Sequence, residues 1–207
     1  LLAWAARVAG LAHKDGLPTY TPGTINKKFM VGVAQLSVYE DGPLRAVHYL
    51  REAGIVVVIV PHLSHTYLDG AAMLLNGVPV IGLSLRYDRL DNFWFCLLHE
   101  LAHIAQHLDA PDAQPLTLFF DDLDSSSERD AIEREADDLA RSALIPVEIW
   151  QRSPAREVPS QMAAEILARA AGVHNAIAAG RIRFELGEFK SKHLGNMVGQ
   201  REVRKWF

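Results

Sequence analysis

The chain has 207 residues, 49% of them hydrophobic and 22% charged, which fits one globular domain or slightly more, with enough apolar side chain to build a core. Its 21 Lys and Arg against 25 Asp and Glu give a net charge of −4, which argues against general nucleic-acid binding by this chain. No stretch reaches the ~18 uninterrupted apolar residues that a membrane span needs, and the single cysteine, Cys96, has no internal disulfide partner, which fits a reducing cytoplasm.

Residues 1–14 read as a packed helix; "LLAWAARVAGLA" lacks the basic start and cleavage site of a signal peptide. The chain opens on Leu1 rather than Met, so we expect a processed chain or part of a longer reading frame. "YTPGT" breaks the chain, and Thr24 is positioned to cap a helix over "INKKFMVGVAQLSVY". A second helix fits "GPLRAVHYLREAG", ended by Gly54. "IVVVIV" is a β-branched run that reads as a strand stopped by Pro61. In "GAAMLLNGVPVIGLSL", Asn76-Gly77 between two apolar segments signals a hairpin. A helix is expected from about Asp91 to Leu108, a short strand at "PLTLFF", a helix over residues 127–144 capped by Ser126 or Ser127, and another from Pro159 to Ala171 ended by Gly172. The tail reads as helical with breaks at Gly180, Gly187 and Gly199. Helices, a few strands close together, then helices again imply α+β, a small sheet packed on helices. The divisions are an N-terminal helical part (1–54), a core with the sheet and the two motif helices (55–150), and a C-terminal helical subdomain (151–207).

The fourth helix carries the chemistry. His99-Glu100-Leu101-Ala102-His103 is an H-E-x-x-H. Positions i and i+4 share a helix face, so the two imidazoles can grip one metal ion. Glu100 lies about 100° around from His99, able to reach a water at the metal without ligating it. Zinc-assisted hydrolysis needs this division: the ion lowers the pKa of water and the carboxylate takes its proton. The apolar neighbours Phe93, Phe95, Leu97, Leu98, Leu101, Ile104 and Ala105 can hold the helix against a core.

A catalytic zinc usually has three protein ligands. His107 follows His103 by four residues but lies about 12 Å along the axis from His99, so it reads as a supporting or surface residue. A carboxylate from another helix suits better. In "EREADDLARSALIP", Glu133 and Asp137 are i and i+4 and face the same way. One can ligate the metal while the other accepts the spare N–H of a ligating imidazole. Ala136 between them is small enough for close helix packing, and Glu135 points elsewhere. Two imidazoles and a carboxylate favour zinc.

These residues resemble the ImmA/IrrE family of zinc metallopeptidase domains, which pairs H-E-x-x-H with a downstream E-x-x-A-[ND] helix running into an apolar segment and a proline. Leu139 stands where Phe is usual in that family, and Asp137 where Asn is common. The resemblance extends through "GAAML…PVIGLSLRYDRLDNFWF", "VHNAIAAGRIRFE" and "VGQREVRKWF" to the subgroup that follows a helix-turn-helix of the XRE/HigA antitoxin type. It implies a zincin-like (gluzincin-like) fold, with His99, His103 and Glu133 as zinc ligands, Glu100 as general base and Asp137 supporting a ligand. It also implies narrow proteolysis of a protein substrate, often an XRE-type repressor, in stress or mobile-element regulation in the cytoplasm. The alternative from the same subgroup is an antitoxin-like sensing domain that binds zinc without cutting, its output being DNA binding by an upstream helix-turn-helix.

Peptide hydrolysis also needs a donor for the oxyanion. His174, opening a helix after Gly172, is the first candidate, with Arg181 and Tyr87 behind it. His13, His48, His62, His65 and His193 lack ligand spacing and read as structural or surface. Residues 121–138 hold nine acidic side chains and residues 181–207 seven basic ones; both runs read as solvated surface or as docking faces, and the oligomeric state is open between monomer and homodimer.

Overall fold

A computed structural model describes residues 2–61, 68–109, 118–120, 127–187 and 192–207. The fold is α+β and mostly helical. In chain order the elements are α1 (Leu2–Leu11), α2 (Lys27–Gln35), α3 (Gly42–Glu52), β1 (Val56–Ile59), β2 (Gly70–Leu75), β3 (Val78–Leu83), α4 (Leu90–His103), β4 (Leu118–Phe120), α5 (Ser127–Leu144), α6 (Val147–Gln151), α7 (Gln161–Ala171), α8 (Asn175–Glu185) and the short α9 (Lys192–Gly195).

Four strands form one sheet in the order β1-β3-β2-β4. β2 and β3 are the expected hairpin, antiparallel with Leu75 opposite Val78. Asn76 (φ 53°) and Gly77 (φ 79°) make the turn; both residues of such a tight turn need positive φ, which Asn-Gly tolerates best. β1 lies parallel to β3, Val56 opposite Val80, and β4 joins the far edge antiparallel to β2.

Alternation along the strands splits the core. Ala72, Ile81 and Leu83 face the large cluster built by α2, α4, α5, α7 and α8. Val56, Val58, Met73 and Val80 face the other way, where Trp4 and Val8 of α1 cover the sheet. The indole N–H of Trp4 donates to the Val60 carbonyl at 3.3 Å. The large cluster draws residues from Tyr20 to Val203, so the N-terminal, central and C-terminal stretches share it. Among the described residues no helix is long and apolar enough to cross a membrane.

Several sequence expectations shift locally. Asn26, not Thr24, caps α2: its side chain accepts from the Phe29 N–H, while the Thr24 hydroxyl is turned to the Thr21 carbonyl. Gly180 does not break the tail; it sits inside α8, where a Cβ would fall 2.9 Å from Cβ and Oδ2 of Asp91. That glycine lets α8 lie against α4. Residues 115–117 of the expected strand, Ser126, His62 and His65 lie outside the described residues.

The C-terminal segment completes α4. Arg89, before the helix, supplies no side-chain cap. Instead the first N–H groups, of Leu90 and Asp91, donate to the carbonyls of Gly199 and Val198 at 3.1 and 3.4 Å. Donors at a helix start have no partner within the helix, and this strand-like strap supplies them. It is tied back by Asp88, whose carbonyl accepts from the Arg201 N–H and whose Oδ1 accepts from Val203 and Arg204.

Candidate metal centre

The last turn of α4 presents His99 and His103, and α5 packs along it with Ala136 fully buried at the approach. Glu133, one turn before Ala136, thereby reaches both imidazoles. Nε2 of His99 lies 3.2 Å from Oε2 of Glu133 and 2.9 Å from Nε2 of His103, and Nε2 of His103 lies 3.4 Å from the same Oε2. One donor atom from each residue thus converges on one point, and these three side chains form a group able to hold a metal ion.

The next turn of α5 orients the group. Asp137 Oδ1 is 2.9 Å from Nδ1 of His99, and its other oxygen is held by Arg141. An ionised carboxylate can only accept, so Nδ1–H of His99 donates and the lone pair of that imidazole is left on Nε2. That lone pair faces Oε2 of Glu133. Two acceptors this close repel unless a proton or cation lies between them. Four tetrahedral bonds of about 2.0–2.1 Å place neighbouring donor atoms roughly 3.3 Å apart, and the three observed separations fall around that value. The donor set therefore fits a divalent ion of the borderline kind that takes imidazole and carboxylate together.

Electrostatics agree with the geometry. Burial pushes the Glu133 carboxyl up, but His103 and His99, when protonated on the nitrogens that face it, outweigh burial and hold the group down at about 2; a cation in place of those protons acts in the same direction. Glu133 is thus an anion across the whole neutral range.

Glu100 is 1% exposed and His103 0%. The Glu100 carboxylate lies over the backbone of Gly70, the first residue of β2: a Cβ there would fall against Oε1 and stand 3.1 Å from Cδ and Cγ. The missing side chain at residue 70 is what makes room for it. Nothing in the sequence of β2 marks this glycine as part of the site.

His107 belongs beside the group rather than in it. The regular helix ends at His103 and continues as a wider π turn, Ile104–Leu108. This turn sets the His107 ring 5.4 Å from that of His103 and brings it to the Ile132 backbone on α5. Burial, and the nearby His103, push its pKa below the usual value. The turn is anchored beyond by Asp109, which accepts from the Tyr20 hydroxyl at 2.8 and 2.9 Å and from the Gly23 N–H at 2.9 Å. Glu135, as expected, is exposed.

The three expected oxyanion donors each have other partners. His174 is the N-cap of α8: its Nδ1 accepts from the Ala176 N–H, and its own N–H donates to Ser37 Oγ. That capping duty explains a histidine at this place without chemistry. Tyr87 is exposed, its ring flanked by the guanidiniums of Arg86 and Arg89 at 4.9 and 5.7 Å. Arg181 is held by Glu185 at 2.7 Å and lies over the Trp150 ring at 5.4 Å.

Sequence reasoning missed Arg141. It sits at i+4 from Asp137, a spacing visible in "EREADDLAR", and it stacks 4.6 Å over Phe184 of α8 and 5.8 Å over Phe95 of α4. It ties three helices to the carboxylate that orients His99. No family model, curated protein or solved structure matches the chain.

Proposed function

We propose that this chain is a zinc metallopeptidase domain of the ImmA/IrrE type, with a zincin-like fold, acting in the cytoplasm on a protein substrate such as an XRE-type repressor. The observation that carries the reading is the convergence of His99, His103 and Glu133, with Asp137 fixing the tautomer of His99. Zinc, when bound, polarises a carbonyl and acidifies water. His99, His103 and Glu133 would hold it. Glu100 takes the proton of the attacking water and returns it to the leaving amine, a role suited to a carboxylate one residue from a ligand and outside the ligand set. Asp137 and Arg141 keep the first imidazole in register.

The experiment is metal analysis together with cleavage of repressor candidates encoded near the gene, comparing wild type with Glu100→Gln. Zinc retention by both proteins and cleavage by wild type alone is the expected result. Zinc binding with no cleavage of any candidate, or equal cleavage by the variant, removes the enzyme reading.

The near-complete burial of Glu100 favours a second reading. A base closed away from solvent suits a sensing or antitoxin-like domain, in which the metal holds two helices together and the output is DNA binding by an upstream helix-turn-helix. Chain-length determination of the native gene product, with binding of its own promoter in the presence and absence of zinc, separates the two.

A further inference from the structure

On the Asp137 side of the metal group, α4, α5 and α8 line a half-open cavity of about 210 Å³. Much of the wall is apolar, formed by Phe95 of α4, Leu144 of α5, and Ile177 and Phe184 of α8, yet three arginines also line it: Arg89, Arg141 and Arg181.

Two of those arginines bring their anions onto the wall with them. Arg89 makes two bonds of 2.8 Å to Asp91, and Arg141 holds Asp137. Arg181 differs. Its carboxylate partner, Glu185, is not part of the wall. Each of the three guanidiniums thus has a carboxylate partner, but only two of those carboxylates lie on the wall. The Arg181 side chain is only 12% exposed, and its Nε–H and Nη1–H are buried with no hydrogen-bond partner among the described residues. A guanidinium has five N–H donors in a fixed fork suited to a carboxylate, and this one makes an ion pair with Glu185 and lies over the Trp150 ring.

We propose that this cavity is a binding site for a small organic carboxylate with an aromatic or branched apolar body, its charge taken by Arg181 and its body by Phe95, Ile177 and Phe184. Ligand sites of this kind combine an apolar lining with a few placed polar groups. A bond from the Arg181 guanidinium to a carboxylate is charge-assisted and therefore stronger than a neutral one. None of the three metal-group residues is on the wall, so the site stands whether or not the peptidase reading does.

The test is a calorimetric titration of the 207-residue chain with benzoate, with its neutral isostere benzamide, and with acetate, which has the charge but no body. Benzoate is expected to bind saturably, and benzamide at least about tenfold more weakly for want of the charge. Acetate is expected to give no saturable heat. Arg181→Gln is expected to bring benzoate down to the benzamide level, and Ile177→Trp, which fills the cavity, to abolish both. A measurement on wild type alone covers the case in which a variant fails to fold: benzoate is expected to shift the NMR signals of the Ile177 methyls and the Arg181 Nε–H. Equal affinity for benzoate and benzamide overturns the proposal. So does absence of benzoate binding, or a set of shifts that misses both residues.

Discussion

Asp137→Ala separates the orientation of His99 from the existence of the metal group. Asp137 Oδ1 is 2.9 Å from Nδ1 of His99, and its second oxygen holds Arg141. Truncation leaves His99, His103 and Glu133 in place but frees the first imidazole to flip its ring or change tautomer, either of which turns the Nε2 lone pair away from the group. Loss of such an outer partner typically costs 10–100-fold in metal affinity, about 1.4–2.7 kcal/mol. The metal-free fold is expected to change only modestly, because the Asp137 side chain is part-buried rather than core and Arg141 keeps a second carboxylate, Asp138, at 3.0 Å. Asp137→Asn keeps an acceptor for His99 but offers Arg141 a donor where it had an anion, so its loss falls between wild type and alanine. The assay is zinc titration against a chromophoric chelator, with thermal melts of the metal-free proteins in parallel. A metal-free melt near wild type with clearly weaker zinc binding is the expected pair. Asp137→Ala binding zinc as tightly as wild type refutes the claim that Asp137 sets the ligand.

Three further substitutions probe the scaffold. Gly70→Ala places a methyl against the Glu100 carboxylate; overpacking of this kind costs about 1–3 kcal/mol, and on the peptidase reading activity falls by roughly the 10²–10⁴-fold of a lost general base while zinc affinity holds, which titration and a cleavage assay separate. Tyr20→Phe leaves the carboxylate of Asp109 without its hydroxyl donor and is expected to cost about 1.5–3 kcal/mol in urea unfolding, the range for bonds to charged groups. Burial, then the bond to and charge of Asp109, raise the Tyr20 pKa above its ordinary 10.0, so its contribution is complete below about pH 10 and is lost as the pH rises beyond, a loss that Tyr20→Phe is expected to lack. Gly199→Ala forces an L side chain into positive φ (66°) with its Cβ 2.5–2.9 Å from Leu90; strain and overpacking together are expected to cost about 2–4 kcal/mol by loosening the strap that caps α4.

What could be read from the sequence was local chemistry. Asn76-Gly77 announces its turn because few dipeptides accept two positive φ values. His99 and His103, and Glu133 and Asp137, announce shared faces because i and i+4 are neighbours on any helix. The full span of α5 and the glycine ending α7 follow from pattern and from the left-handed conformation of Gly172. What stayed hidden was set by partners distant in sequence. Gly70 matters only because Glu100 lies over it. Gly180 reads as a break until Asp91 is known to press on it. The capping role of His174, whose ring accepts from the N–H two residues on, is likewise unmarked in the sequence. The π turn that carries His107 toward Ile132 leaves no mark in an apolar run whose period already suits an ordinary helix. Arg141 lay within reach of the i+4 rule, but its stack on Phe184 joins residues more than forty positions apart.

The central claim is that His99, His103 and Glu133 bind one metal ion. Crystals of the zinc-loaded chain, measured on both sides of the zinc absorption edge, test it directly. The account predicts one strong anomalous peak about 2.0–2.2 Å from Nε2 of His99, Nε2 of His103 and a carboxylate oxygen of Glu133, with Asp137 on His99 Nδ1 and not on the metal. A zinc-loaded crystal with no peak at these three side chains, or with its peak on another set of residues, contradicts it.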